Sequence, residues 1–152
     1  MMDGDETKHG IDSGLIDMNK PELAIVIIMR VIGVSGLFAI PAIFLPYSWM
    51  NIIHESMGLG VLPDAPIVSY LARSLSAFYA IVSTITLFIA LDIWRYRSFV
   101  KLWAIIVIAT GFVLLGIDVA AGMPTSWTVG EGPPTIAIGL VVLQLQKKIT
   151  PH

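Results

Sequence analysis

The sequence predicts an all-α membrane protein, a four-helix bundle whose helices each cross the bilayer. Hydrophobic residues make up 56% of the 152 residues and charged residues 13%, about half the usual share of roughly 25%. Each of four apolar segments has about the 20 residues that a helix needs to cross a hydrocarbon core. We expect one membrane domain, residues 22–148, with spans near residues 23–46, 67–91, 99–122 and 126–146.

The composition argues against several classes of function. The chain has no cysteine, which excludes thiol–disulfide chemistry, iron–sulfur clusters and thiolate metal sites. The three histidines, His9, His54 and His152, lie outside the apolar segments, so no pair is placed to hold haem or zinc. The net charge of −2 argues against nucleic acid as a partner. We expect no cofactor and no metal; the expected partner is the lipid bilayer, with other membrane proteins or a homo-oligomer as open alternatives.

Residues 1–21 are polar and predict a short, disordered, acidic cytoplasmic tail. Acidic residues outnumber basic ones there, and the positively charged region that opens a signal peptide is missing. The apolar run that follows is also too long for the core of a signal peptide. The tail is therefore not interpreted as a targeting sequence.

The basic residues predict the orientation of the chain. The connections at residues 47–66 and 123–126 contain no lysine or arginine. Seven of the nine basic residues flank the spans on the opposite side: Lys8, Lys20, Arg95, Arg97, Lys101, Lys147 and Lys148. By the positive-inside rule, both termini are expected to be cytoplasmic.

The first outer connection predicts a short helix lying in the membrane interface. Its apolar residues recur with the spacing of one helical face, while Ser48 can cap the start and Gly58 suits a left-handed stop. The residues of that face are Trp49, Ile52, Ile53 and Met57. An apolar face with a tryptophan at headgroup level is typical of interfacial helices.

Three charged residues inside the spans form the candidate functional site. Counted at 1.5 Å per residue, Arg73, Asp118 and Glu131 lie roughly 6–9 Å below the outer surface. One interpretation is structural: Arg73 pairs with Asp118, and Glu131 faces the outer water. The other is a polar pocket, roofed by His54 and Glu55, in which the carboxylate left without a counter-charge binds a proton or a cation.

The fourth span contains a helix-breaking segment, Gly130-Glu-Gly-Pro-Pro134. Its two prolines remove two backbone donors, and irregular backbone at membrane depth needs protein or water around it. A helix that began only at Thr135 would have about 14 residues before Lys148, too few to cross. We therefore expect an embedded break at residues 130–134, as in the binding sites of transporters.

Arg30 in the first span is expected to have a structural role. It lies near the cytoplasmic end, from which its long side chain can extend to the interface. Ser83, Thr84 and Asp92, in or next to the second span, are within reach as partners. We assign no chemistry to this arginine.

Three segments resemble those of a known family. They are Leu59-Gly-Val-Leu-Pro-Asp-Ala-Pro66, Tyr70-Leu-Ala-Arg-Ser-Leu-Ser-Ala-Phe-Tyr79, and Gly116-Ile-Asp-Val-Ala-Ala-Gly-Met-Pro124, continued through Trp127 to Glu131-Gly-Pro133. The chain, from residue 30 to about residue 146, resembles uncharacterised small four-helix bacterial integral membrane proteins. The resemblance implies a bacterial cytoplasmic membrane, and it implies no reaction, cofactor or catalytic residue.

The sequence leaves three hypotheses about function. The favoured one is a non-enzymatic membrane protein with a buried charged layer near the outer face, because no catalytic motif is present. The second is a small transporter, or an ion- or proton-binding subunit, that uses Arg73, Asp118 and Glu131. The third is a membrane-embedded enzyme that acts on lipid at the outer face, with His54 or Glu131 as its base.

Overall fold

The computed structural model describes residues 19–149, and within this range the chain forms six helices and no strand. The all-α prediction is confirmed. Of the predicted tail, residues 1–18 lie outside the described range, and Lys20 and Pro21 already belong to the first helix. The helices are α1 (Lys20–Leu37), α2 (Ile40–Phe44), α3 (Tyr47–Ser56), α4 (Pro66–Ile89), α5 (Arg97–Ala121) and α6 (Thr125–Gln146).

Four of these helical segments are long and apolar enough to cross a membrane. They are α1 together with α2, then α4, α5 and α6, each 22 to 25 residues long. Large apolar side chains point away from the protein along all of them; Phe38 and Phe44 are each 77% exposed. A surface of this kind is suited to lipid and not to water, which is consistent with a multi-pass membrane protein.

The first span begins and bends where its sequence dictates. The Asn19 side chain accepts a hydrogen bond from the backbone N–H of Glu22, and the Glu22 carboxylate accepts one from the backbone N–H of Asn19, so the two residues form a capping box. The helix is interrupted at residues 38–39 and resumes as α2, with Pro41 in the first turn of the new helix. Proline is compatible with that position because its missing N–H is not needed there.

Helices α5 and α6 pack against each other along their whole length through small residues spaced seven apart. Gly139 lies so close to α5 that a methyl group on it would be 2.7 Å from the Ala104 carbonyl oxygen. A methyl group on Gly111 would be 2.9 Å from the Gly132 carbonyl oxygen. At the end of the row, the Gln146 side chain donates to the Arg97 carbonyl at 2.7 Å. Close backbone approach over small residues is a characteristic mode of helix packing in membranes.

The other helices are arranged around α1. Gly33 and Gly36 of α1 face Ser83 and Leu87 of α4, and α1 also packs against α6. Helices α4 and α5, although consecutive in the chain, do not pack extensively against each other in the described structure. The spatial order is therefore α4, α1, α6, α5, and a hydrogen bond from Trp103 Nε1 to Thr86 Oγ1, 3.0 Å long, joins the two outer members of this row.

The buried core lies at one end of the molecule. We call this the termini end, because it contains Asn19, the α4–α5 connection and Ile149; the opposite, loop end contains α2, α3 and the α5–α6 turn. The buried apolar residues are Ile25, Val26, Met29, Ile89, Ala90, Ile93, Val100, Trp103, Ala104, Val142 and Ile149. At the loop end, by contrast, few apolar side chains are buried between the helices.

A helix is present where the first outer connection predicts one. Helix α3 presents its apolar side chains to the outside, and Trp49 and Ile52 are 62% and 63% exposed. Gly58 follows it with a φ of +76°, the left-handed conformation expected of the stop. The position of α3 in a membrane interface remains a prediction that this exposed apolar face favours.

The predicted break in the fourth span is wrong. Helix α6 begins at Thr125 and continues through Pro133 and Pro134 without interruption, so it neither breaks at residues 130–134 nor starts at Thr135. Both prolines are exposed, so their rings meet no neighbouring helix, and the Thr135 hydroxyl donates to the Glu131 carbonyl at 2.7 Å. Close packing of Gly132 and Ile136 on α5 holds the helix on both sides of the prolines.

Candidate functional site

Arg73 is an exposed residue of α4 that fastens the end of the first span. Its Nη2 donates to the carbonyl of Leu45, immediately after α2, at 3.2 Å. The predicted ion pair with Asp118 is not formed in the described part of the chain. The physical reason is the packing of the helices, because α4 packs closely against α1 and α2 but not extensively against α5, the helix that carries Asp118.

Asp118 is a buried carboxylate with an unsatisfied oxygen. The residue is 4% exposed, and within residues 19–149 its Oδ2 is the one buried side-chain oxygen or nitrogen that has no hydrogen-bond partner. It lies seven residues beyond Gly111, and therefore on the face of α5 that packs against α6. A carboxylate in this position needs a positive charge or a hydrogen-bond donor, because burial without one is costly.

The packing register places the first turn of α6 opposite Asp118. Arg97 contacts Gln146, Ala104 contacts Gly139, and Gly111 contacts Gly132. One further step of seven residues pairs Asp118 with the first residue of α6. At the start of α6 the N–H groups of Trp127 and Thr128 donate to the Pro124 carbonyl, and Pro124 offers no side chain to the N–H groups of residues 125 and 126. The carboxylate therefore faces the positive end of the α6 dipole.

Glu131 lies one turn deeper on α6 and is half-buried. Its Oε2 accepts a hydrogen bond of 2.8 Å from the indole N–H of Trp127. The two residues line a cavity of about 270 Å³, together with Ser126 and Gly130. The carboxylate is also within electrostatic range of the Tyr79 phenol on α4. A carboxylate at the wall of a cavity of this size can exchange a proton or a cation with the solvent.

His54 and Glu55 form hydrogen bonds within the first connection. His54 Nδ1 contacts the Gly60 carbonyl at 2.8 Å. The Asn51 amide donates to Glu55 Oε1 at 2.8 Å, and its oxygen accepts from the backbone N–H of Leu62 at 2.7 Å. These bonds fold residues 57–62 back onto α3, which gives His54 a local structural role and not that of a free base.

Tyr47 completes this fold of the connection. Its hydroxyl donates to the Leu62 carbonyl. Desolvation raises the pKa of the Tyr47 phenol above its ordinary value, and the negative charges of Asp64 and Glu55 raise it further. The phenol therefore stays protonated, and remains a donor, over the whole physiological range of pH.

Arg30 extends toward the termini end, as expected of a structural arginine. It is exposed and lines a cavity of about 170 Å³ with Asp92 and Trp94. Asp92 Oδ1 accepts a 2.9 Å hydrogen bond from the backbone N–H of Arg95 and so shapes the α4–α5 connection. Ser83, another expected partner, instead faces Gly36.

Sequence reasoning missed a basic cleft at the termini end. Arg97 and Lys101 on α5 and Lys147 at the end of α6 line a cavity of about 330 Å³, larger than the two cavities described above. In the sequence these residues served only to orient the chain. The four-residue spacing of Arg97 and Lys101 was a usable signal, because it places both on one face of a helix. The partner from α6 could not be found without the register of the two helices.

Within residues 19–149, no three histidine, aspartate or glutamate residues lie close enough together to hold a metal ion. No family model, curated protein or solved structure matches the chain. The candidate site therefore centres on two carboxylates at the loop end, Asp118 and Glu131, and Arg73 does not pair with Asp118.

Proposed function

We propose that the chain is a multi-pass protein of a bacterial cytoplasmic membrane that binds a proton or a small cation at Asp118 and catalyses no reaction. Four apolar spans, the distribution of basic residues and the family resemblance support the location. The observation that carries the function is the buried, unpartnered Oδ2 of Asp118. An ionisable residue inside a membrane span is costly and is most often retained for function.

The chemistry of the ligand follows from the surroundings of Asp118. A carboxylate supplies only acceptors, so the missing partner carries a positive charge or a hydrogen to donate. A proton satisfies Oδ2 directly, and a small cation does so together with hydroxyl oxygens of the first turn of α6, where residues 125, 126 and 128 are Thr, Ser and Thr. Both ligands supply one positive charge, and the test below distinguishes between them.

Glu131 supports a route to Asp118 from the loop end. Its cavity opens beside the first two turns of α6, the helix that Asp118 faces. The hydrogen bond from Trp127 fixes one carboxylate oxygen and leaves the other available. A ligand that enters from the loop end therefore meets Glu131 on the same helix whose first turn lies opposite Asp118.

The test compares Asp118→Asn with Asp92→Asn in the purified full chain. Asp92 is an exposed carboxylate at the opposite end, and asparagine keeps its acceptor for Arg95. The thermal midpoint is measured over a range of pH and with Li⁺, Na⁺ or K⁺. In the wild type, a ligand at a hundred times its Kd stabilises the folded state by about 2.7 kcal/mol. This dependence should vanish in Asp118→Asn and persist in Asp92→Asn.

The dependence on pH alone identifies a proton, and dependence on one of the cations identifies that ion. A wild type that responds to neither, or an Asp118→Asn variant that responds as the wild type does, contradicts the proposal and leaves Asp118 without a ligand. Should the variant fail to fold, infrared spectra of the wild type give a second measurement. The carboxyl bands must then change with the same ligand that shifts the thermal midpoint.

A further inference from the structure

The basic cleft at the termini end is a site that the proposed function does not use. It lies where α5 begins and α6 ends, between two helices that touch throughout the rest of their length. Six residues line it: Arg97, Ser98, Lys101, Leu143, Gln146 and Lys147. Three of the six are cationic and none is acidic, so the cleft presents a concentrated positive charge.

The cleft has a fixed shape because its floor is tightly packed. Gln146 is 8% exposed, and its amide donates to the Arg97 carbonyl, which ties the end of α6 to the start of α5. Val100, Ala104 and Val142, directly beneath, are at most 1% exposed. The cationic side chains therefore extend from a rigid base, and little order has to be created when a ligand binds.

Two further groups favour an anion. The guanidinium of Arg97 lies 6.0 Å from the centre of the Trp94 ring, which holds it beside the cleft. Helix α5 has no acidic residue in its first turn, and the Ser98 hydroxyl at the wall of the cleft can donate to an oxyanion, whereas the backbone N–H of Arg97 already donates to the Trp94 carbonyl at 3.3 Å. The donors surround one small volume, as phosphate oxygens require.

The position of the cleft identifies the source of the phosphate. Arg97 is the first residue of one spanning helix and Lys147 directly follows the last residue of another, so the cationic groups lie at the level of the headgroups. Leu143, one turn deeper, adds an apolar wall, and Leu102 and Leu140 nearby are exposed on the two helices. An apolar surface below a cationic cleft suits acyl chains below a phosphate.

We propose that this cleft binds the phosphate headgroup of an anionic phospholipid from the leaflet at the termini end. Basic pockets between membrane helices are a recurrent form of lipid site. With three cationic groups, the cleft favours headgroups that carry more than one negative charge. The site is independent of Asp118, which lies at the other end of the same pair of helices.

The test uses a double variant, Lys101→Gln with Lys147→Gln, and the matched control Lys148→Gln. Lys148 is an exposed neighbour of Lys147 that does not line the cleft, so its loss changes the surface charge alone. Each full-length protein is placed in phosphatidylcholine nanodiscs containing increasing amounts of cardiolipin or phosphatidylglycerol. Binding is measured as the rise of the thermal midpoint with the fraction of anionic lipid.

The wild type should be stabilised by anionic lipid, and more by cardiolipin than by phosphatidylglycerol. Removing each cleft lysine should weaken the apparent affinity roughly fivefold, the factor that corresponds to about 1 kcal/mol per basic residue near an anionic membrane. The double variant should then bind roughly thirtyfold more weakly, and Lys148→Gln, which removes only surface charge, should lose clearly less affinity than Lys101→Gln. Should the double variant misfold, the pair Lys101→Arg and Lys101→Gln is compared, because only the first keeps the charge.

Three results overturn the proposal. If Lys148→Gln loses as much affinity as a cleft variant, the effect belongs to the whole surface and not to a site. If phosphatidylcholine alone stabilises the protein equally, the headgroup charge is irrelevant. If inorganic phosphate, added to the protein in detergent, stabilises it and abolishes the response to cardiolipin, the cleft is a site for soluble phosphate.

Discussion

Three glycines allow α5 and α6 to pack closely because they have no side chain. A methyl group on Gly111 or Gly139 would collide with atoms of the partner helix, and one on Gly132 would be 3.0 Å from Leu115, a tight contact. A carbonyl oxygen cannot move aside without disturbing its own helix, so these positions tolerate substitution poorly. Gly116, on the same helix as Gly111, has open space around it and offers a comparison.

Gly139→Ala should lower the free energy of unfolding by about 1–3 kcal/mol, the usual cost of overpacking. The added methyl group would lie 2.7 Å from the Ala104 carbonyl oxygen and must push the helices apart. Gly116→Ala should be neutral or slightly stabilising, because alanine is the better helix former. Unfolding of both variants in mixed detergent micelles measures the difference. Equal effects would show that the seam between α5 and α6 is not the close contact described.

Individual residues also show that the sequence predicts local backbone conformation better than contacts between helices. The left-handed glycine after α3 follows from local rules, and the structure confirms it. The prediction of an Arg73–Asp118 pair was wrong because it used only the depth of each residue in the membrane, and depth does not determine which helices are neighbours. Both residues lie at similar depths, but whether they meet depends on which helices are neighbours. That order is set by contacts between glycines far apart in the chain, which no local pattern reveals.

At the level of elements, α6 shows how packing overrides propensity. Two consecutive prolines remove the hydrogen bonds that the carbonyls of Val129 and Gly130 would otherwise accept. The helix continues nevertheless, since its opposite face is held against α5 by Gly132 and Ile136. The element is therefore continuous but locally weak, and its weak point lies at the level of the Glu131 cavity.

Pro134→Ala should stabilise the protein by up to about 3 kcal/mol, because it restores one backbone bond in a helix interior. Pro134 is exposed, so no packing is lost in the exchange. Hydrogen exchange of the backbone around residues 130–134 should slow in this variant. Pro124→Ala, at the cap and outside the helix, should leave that exchange unchanged. Faster exchange in Pro134→Ala would show that proline itself supports the shape of α6.

At the level of the whole molecule, the two ends differ in construction. The termini end has the apolar core, the buried Gln146 clamp and the basic cleft. The loop end has Asp118 and Glu131, with few apolar residues buried between its helices. The sequence predicted a buried charged layer near the outer face. It missed the buried polar residues of the termini end, Glu22, Thr86 and Gln146, because each looks like an ordinary residue at a helix end or in an apolar run.

The proposed orientation can be tested without altering the background, because the chain has no cysteine. Asp64→Cys, at an exposed polar position of the loop-end connection, should react with a membrane-impermeant maleimide added to intact cells. Lys148→Cys at the termini end should react only after the cells are opened, since the positive-inside rule predicts that this end is cytoplasmic. Labelling of Lys148→Cys in intact cells, with Asp64→Cys protected, would invert the proposed topology.

The short turn between α5 and α6 has a consequence for biosynthesis. Three residues separate the two helices, and their contacts run from Arg97 opposite Gln146 to Leu115 opposite Gly132. Helix α6, with its glutamate and prolines, is the least apolar of the four spans. If α6 left the translocon without a partner helix, it would partition poorly into lipid. When α6 is paired with α5 as a hairpin, its polar backbone near the prolines packs against a strongly apolar helix. We therefore expect the last two spans to enter the bilayer together.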